Sequence, residues 1–554
     1  MGSPRVSGAA LRAVLSALKL GPFRRTFVNM MKKDLGIAAL ADLPESLRGP
    51  IPIPLHPLAA RASHARPSQD LGALPVQAWP RSTLSYATAY AAGKITPREV
   101  VERAFAAARR FAAMKPSLGP IHVYDEARGL RDADAATERH RAFRALGPLD
   151  GVPVVIKEEI DVLGLATRLG TSWLPETGAP ADATSVARLR GAGAIVLGHS
   201  PMTEYGMSPL GANGHRPMPR NPHDPRRLAG GSSTGSGVAV ATGVSPVAIG
   251  ADGGGSIRTP AAHCGVFGLK TSLGRVSRKG HGIAGTVTVQ GPIASSAADI
   301  AIAMETIGPE DPDDPRTRGV PPIEPGSLVA ATGRGVKGLR IGVDDSEWAE
   351  AGDDVARSGR AALGALEKEG AVLHPVKMKL ARHAASMGYL TIGLEEYADL
   401  REARLAHDAE LGTDLRVNLR ALGAFDAGDY LDAQRLRAGL RQETAEVLRD
   451  VDVLALPSVG MTATAVTDAE AAGGFLDAAV LHAHCRFAFL ANLTGLPAGS
   501  APVGMDRDGL PIGLQIVGDA WDEACVIAVL AHLERTGAAH VDRPKTFVDL
   551  LEGT

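Results

Sequence analysis

The sequence predicts an α/β protein built on one large, twisted mixed sheet with helices covering both faces. Three observations point there. From Gly151 onward, short apolar runs alternate with helical stretches, the pattern of a parallel or mixed sheet buried on both sides. The 554 residues are 45% hydrophobic and 22% charged, enough to build a large core. No repeat at solenoid periods interrupts the alternation.

In chain order, residues 1–81 form a basic amphipathic segment followed by a Pro-rich connector. The connector, from Pro44 to Pro80, holds eight prolines and suits an extended strap. One regular domain spans 82–545. Thr96-Pro97-Arg98-Glu99 is a capping box with Pro at the first helical position. Val101, Ala104, Phe105 and Ala108 follow as one apolar helix face. Strands are predicted over 152–156, 194–197, 247–250, 339–343, 371–373, 453–456 and 513–517. Helices are predicted over 182–190 (stopped by Gly191), 354–368, 392–410, 430–450 and 522–536. The Pro- and Asp-rich stretch 309–325 reads as a surface loop.

Composition removes several function classes. A net charge of −2 and 4% aromatic content do not fit a nucleic-acid binder. Cys264, Cys485 and Cys525 are scattered, which fits neither a disulfide framework nor a zinc site and suits a reducing cytoplasm. No apolar run is long enough to span a bilayer. Between Arg5 and Lys33 lie seven basic residues and no acid, with Leu11, Leu15, Leu18, Phe23, Phe27 and Met30 near helical spacing. One reading is peripheral contact with an anionic membrane. The other is a helix docked on its own domain or on a second copy in a homodimer. Arg24-Arg25 resembles an export tag, but Lys32, Lys33 and Asp34 occupy the place of its apolar stretch.

Chemistry concentrates in two Ser-bearing glycine loops, 229–237 and 250–258, flanking a predicted helix of small residues. A phosphate cradle would need Gly-Lys-Ser/Thr, and neither loop supplies it. Gly231-Ser232-Ser233-Thr234-Gly235 fits a nucleophile elbow centred on Ser233, but no motif supports the His that it would need among His482, His484, His532 and His540.

Both loops, and a lysine upstream, are explained together by a resemblance. The strings Gly-Val-Pro-Val-Val-Ile-Lys at 151–157, Gly-Gly-Ser-Ser-Thr-Gly-Ser at 230–236 and Asp-Gly-Gly-Gly-Ser-Ile-Arg at 252–258 resemble the amidase signature family. Cys264 to Lys270, Gly495-Leu496-Pro497 and Gly509 to Gln515 extend the likeness over roughly 82–540. It implies the amidase signature fold and hydrolysis of a carboxylic amide C–N bond in a small-molecule substrate. Ser256 would be the nucleophile and form the acyl-enzyme. Ser232, after a cis bond from Gly231, would be the relay, and Lys157 the general base. The backbone amides of Gly253, Gly254, Gly255 and Ser256 would form the oxyanion hole. Asp252 and Arg258 would be a buried pair holding the loop, and Ser233 structural.

The chemistry is coherent. A serine hydroxyl needs a base within hydrogen-bond reach. Lysine serves only when neutral, which burial favours, and Lys157 ends an apolar run. A relayed proton must return to the leaving amine, since an amide nitrogen leaves poorly as an anion. All groups are supplied by the protein, so no metal or organic cofactor is expected. The sequence departs from the family beside the triad: Glu158-Glu159 replaces a common Asp-Asn after the lysine, Thr234 a common Gly, and Gly253 a common Thr or Ile. Pocket walls are expected from 202–210 and 380–440, with Met202 and Gly231 as candidates and His263 as a packed histidine. Under the membrane reading the substrate is a lipophilic amide, as for the family's fatty acid amide hydrolases. The alternatives are the glutaminase subunit of a tRNA-dependent amidotransferase, an esterase, and a non-catalytic binding relative.

Overall fold

The computed structural model describes residues 5–48, 56–61, 71, 72, 79, 81–283 and 285–552. Most of the Pro-rich connector lies outside them. Ten strands form one sheet. In chain order they are β1 (Pro153–Lys157), β2 (Ile195–Ser200), β3 (Val247–Asp252), β4 (Phe267–Lys270), β5 (Val289–Ala294), β6 (Arg340–Val343), β7 (Val372–Pro375), β8 (Val453–Pro457), β9 (Ala498–Met505) and β10 (Pro511–Gly518). Across the sheet the order is β2-β1-β3-β5-β4-β9-β10-β8-β6-β7. The outer strands run parallel to their neighbours, and the pairings from β3 through β8 are antiparallel. The sheet is therefore mixed.

Strand side chains alternate between two apolar layers, as a pleated strand requires. Val154 and Ile156 of β1 and Val247 and Ile249 of β3 enter one layer, beneath the helices Ala297–Ile307 and Glu523–Arg535. Val155 and Ala248 enter the other, with the helices Pro97–Ala112 and Thr234–Ala241. The capping box is present: the Thr96 hydroxyl accepts the Glu99 amide at 3.2 Å, and the Glu99 carboxylate accepts the Thr96 amide at 2.9 Å. The apolar face it starts is buried at Val101, Ala104, Phe105 and Ala108.

All seven predicted strands form, with shifted ends. Three antiparallel strands, β4, β5 and β9, go unread in the sequence because Gly and Pro break their apolar runs, as in Val289-Gln290-Gly291-Pro292. The predicted helix 392–410 is two helices, Ala384–Asp399 and Arg401–Ala406. The first turn of that region is rich in Ala and Ser, so its polarity pattern is faint.

The N-terminal helices Gly8–Ala17 and Gly21–Asp34 lie on the domain. Leu11, Leu15, Leu18, Phe27 and Val28 pack with Val417 and Ala421 of the helix Thr413–Leu422. Lys32 pairs with Asp429 at 2.8 Å, and the Ser386 hydroxyl donates to the Leu35 carbonyl at 2.7 Å.

Candidate active site

Strands β1 and β3 are parallel neighbours, so their carboxyl ends open side by side, where α/β sheets present their ligand sites. Lys157 is the last residue of β1 and Asp252 the last of β3. Lys157 Nζ lies 2.7 Å from Ser232 Oγ and 3.4 Å from the Ala251 carbonyl. Both side chains of the Lys157–Ser232 contact are buried, and Ser256 is 9% exposed. The Gly231–Ser232 peptide is cis, as the resemblance implies. The Ser233 amide donates to the Ser256 carbonyl at 3.3 Å, fastening the two serine loops together.

Ser233 is a staple. Its hydroxyl donates to the Ala251 carbonyl at 3.2 Å and accepts the Ala251 amide at 3.3 Å, locking its loop to the end of β3.

The loop carrying Ser256 is held by a fully buried ion pair. Arg258 meets Asp252 at 2.8 Å, and also donates to the Ala488 carbonyl at 2.9 Å, to the Asn492 amide oxygen at 2.6 Å and to Gln515. Burial alone would raise the Asp252 carboxyl. The Arg258 charge and hydrogen bonds from Arg258, Asn492 and the Gly255 amide outweigh it and hold the group well below the usual carboxylate range. That last bond corrects the expected oxyanion hole. The Gly255 N–H donates to Asp252 at 2.8 Å and so is not aimed at substrate. The amides of Gly253, Gly254 and Ser256 make no hydrogen bond among the described residues. Gly255 has φ +116°, a conformation side chains rarely adopt. A Cβ on Gly254 would stand 2.6 Å from the Phe489 ring.

Ser256 and Gly254 face a cavity of about 110 Å³ with mainly apolar walls. Met207 and Pro209 come from the expected segment 202–210, and Tyr389, Ile392 and Leu422 from 380–440. The two named wall candidates are elsewhere. Met202 is buried in an apolar cluster with Leu169, Tyr205 and Ile283. Gly231 is pressed against backbone, where a Cβ would meet the Gly211 nitrogen at 3.0 Å. Neither lines the cavity. Unforeseen walls are Leu481, Cys485 and Phe489, and Met31 and Leu35 from the N-terminal segment. The Leu-Met-Phe spacing of that segment signalled a buried face without saying what it would cover. His263 is buried, with its ring edge-on to His484.

A second group touches the lysine. Glu159 Oε1 lies 3.0 Å from Lys157 Nζ, with both side chains about 1% exposed. His281 Nε2 stands 3.4 Å from the same oxygen. Among the described residues, no group of His, Cys, Asp and Glu has the arrangement of a metal site.

Comparison with known proteins gives a consistent assignment. The family model described as Amidase matches residues 101–527. A fatty acid amide hydrolase of Arabidopsis thaliana is 35% identical over 498 residues, 88% of this chain and 81% of that protein. A glutamyl-tRNA(Gln) amidotransferase subunit of Chloroflexus aurantiacus is 34% identical over 490 residues, 83% of this chain and 97% of that protein. Among solved structures, a peptide amidase in complex with the competitive inhibitor chymostatin superposes with a TM-score of 0.72 at 26% identity, covering 84% of this chain and 99% of that one.

The buried pair yields a stability prediction. Arg258→Met leaves the Asp252 charge without its partner and is expected to cost about 3–5 kcal/mol. The double variant Asp252→Asn/Arg258→Met should recover part of that loss. Denaturant midpoints of the single and double variants check both.

Proposed function

We propose, from the premise that this chain belongs to the amidase family, that it acts through a Ser256 acyl-enzyme on lipophilic amides. Membership of the family fixes the reaction class: the enzyme hydrolyses amides. The observation that carries the assignment of roles is the 2.7 Å contact of a buried lysine amine with the Ser232 hydroxyl, beside the loop that presents Ser256.

In this reading Ser256 Oγ attacks the substrate carbonyl. Its proton passes to Ser232, whose own proton passes to Lys157. The tetrahedral oxyanion forms against the Gly253, Gly254 and Ser256 amides, which the Asp252–Arg258 pair holds in place before substrate arrives. The proton returns through Ser232 to the departing amine. Water then attacks the acyl-enzyme, with the same relay drawing off its proton.

The lipophilic substrate is supported by the apolar walls at Ser256 and by the similarity to fatty acid amide hydrolases. Each methylene that enters such a cavity contributes about 0.8 kcal/mol, roughly fourfold in binding. The N-terminal helices also leave Leu20, Phe23 and Met30 64%, 38% and 40% exposed, beside exposed Lys19, Arg24, Arg25 and Lys33. This face suits peripheral attachment to an anionic lipid surface. Among the described residues, no helix is long and apolar enough to cross a membrane.

Three measurements test the reading. A fluorophosphonate probe should label the wild type and Ser233→Ala but not Ser256→Ala, and should label Ser232→Ala and Lys157→Ala about 10²–10⁴-fold more slowly. Labelling of folded Ser256→Ala would overturn the nucleophile assignment. Across a series of primary acyl amides, kcat/KM should climb roughly fourfold per methylene until the cavity is full. A flat series would exclude a lipophilic preference. The wild type should sediment with anionic vesicles, and the double variant Leu20→Asp/Phe23→Asp should stay in the supernatant.

A further inference from the structure

Glu159 lies two residues beyond Lys157, and its carboxylate turns back onto the lysine amine at 3.0 Å. Two backbone bonds hold it there. The Gly282 amide donates to the Glu159 carbonyl at 2.8 Å, and the Asp161 amide donates to the Gly280 carbonyl at 2.8 Å. Between them, these bonds press the His281 segment against Glu159. The imidazole is buried, 3.4 Å from the carboxylate.

Besides Lys157, the titratable and charged groups around Glu159 are His281, Arg278 and the acids of the helix Ala384–Asp399. Burial holds His281 below its ordinary value, although Glu159 pulls the other way. From the helix Ala384–Asp399, Glu396 is raised well above its ordinary value, first by burial and then by Glu159 itself. Glu395 and Asp399 of the same helix also raise Glu396, and the Glu395 charge reaches Arg278 as the Glu159 charge does. Arg278 is committed to the Gly285 carbonyl at 2.7 Å and to Ile283. For Glu159, burial would raise the carboxyl, but the Lys157 charge and His281 bring it down to about 2.

We propose that Glu159 is a positioning residue for the general base: backed by His281, its carboxylate holds the Lys157 amine against Ser232. The proposal rests on Lys157 being the base. A lysine amine acts as a base through its nitrogen lone pair, which must face the Ser232 hydroxyl to accept its proton. An opposite charge this close to an ionisable group favours the charged form, so the charge at position 159 should enter the pH dependence of catalysis. An uncharged residue at 159 removes this hold.

The test is the rate of Ser256 labelling by a neutral fluorophosphonate, and kcat/KM for an amide, as functions of pH. Glu159→Gln keeps the shape and loses the charge. Glu159→Asn is a smaller amide, used should the Gln variant not fold. Glu159→Asp keeps the charge. The acid limb should move about 1–3 pH units lower in the Gln or Asn variant, the effect of removing an opposite charge at this range, and stay at the wild-type position in the Asp variant. A folded Gln or Asn variant that is slower at every pH, with its limb unmoved, overturns the proposal and leaves Glu159 a packing residue. Lys157→Ala separates the two readings. If it labels at the wild-type rate, the base assignment itself falls. If it is slow while the Gln and Asn limbs superpose on the wild type, only the role of Glu159 falls.

Discussion

The site depends on a carboxylate and a guanidinium that water does not reach. Asp252 ends β3, and Arg258 begins the helix that follows the glycine loop. Their contact closes the loop like a clasp, with the Gly255 amide drawn inward and Ser256 left at its outer edge. Arg258 also reaches Asn492, the Ala488 carbonyl and Gln515 of β10. One side chain therefore joins the nucleophile loop to the far half of the sheet. Isolated buried pairs contribute little net stability. Here the pair's importance is geometric, because the loop has few other means of keeping its shape.

Much of the fold was legible because buried parallel strands announce themselves as apolar runs. Strands β1, β3 and β8 sit in the middle of runs that sequence patterning identifies directly. β4, β5 and β9 did not, since Gly268, Gly291 and Gly499 interrupt them where neighbouring backbone or side chains come close. Lys157, Ser232 and Ser256 were singled out by the resemblance to the amidase signature family, and the fold brings the first two into contact. The resemblance implied four oxyanion donors, and only the folded loop shows that Asp252 takes the Gly255 amide.

The pocket was less legible because it is assembled from segments hundreds of residues apart. Met31, Met207, Ile392 and Phe489 share no motif, and only packing brings them to one wall. Glu159 is an intermediate case. Its departure from the family pattern was visible at once, but its meaning depended on His281, 122 positions later, and on the direction in which its side chain turns.

The hairpin of helices that brings Met31 and Leu35 to the cavity shares no strand with the sheet that carries Lys157 and the nucleophile loop. The wall at Met31 and Leu35 thus belongs to an element outside that sheet, whereas the wall at Phe489 rests on the nucleophile loop itself. A substitution at Met31 or Leu35 would therefore alter the outline of the cavity without removing any contact of the Lys157–Ser232 pair.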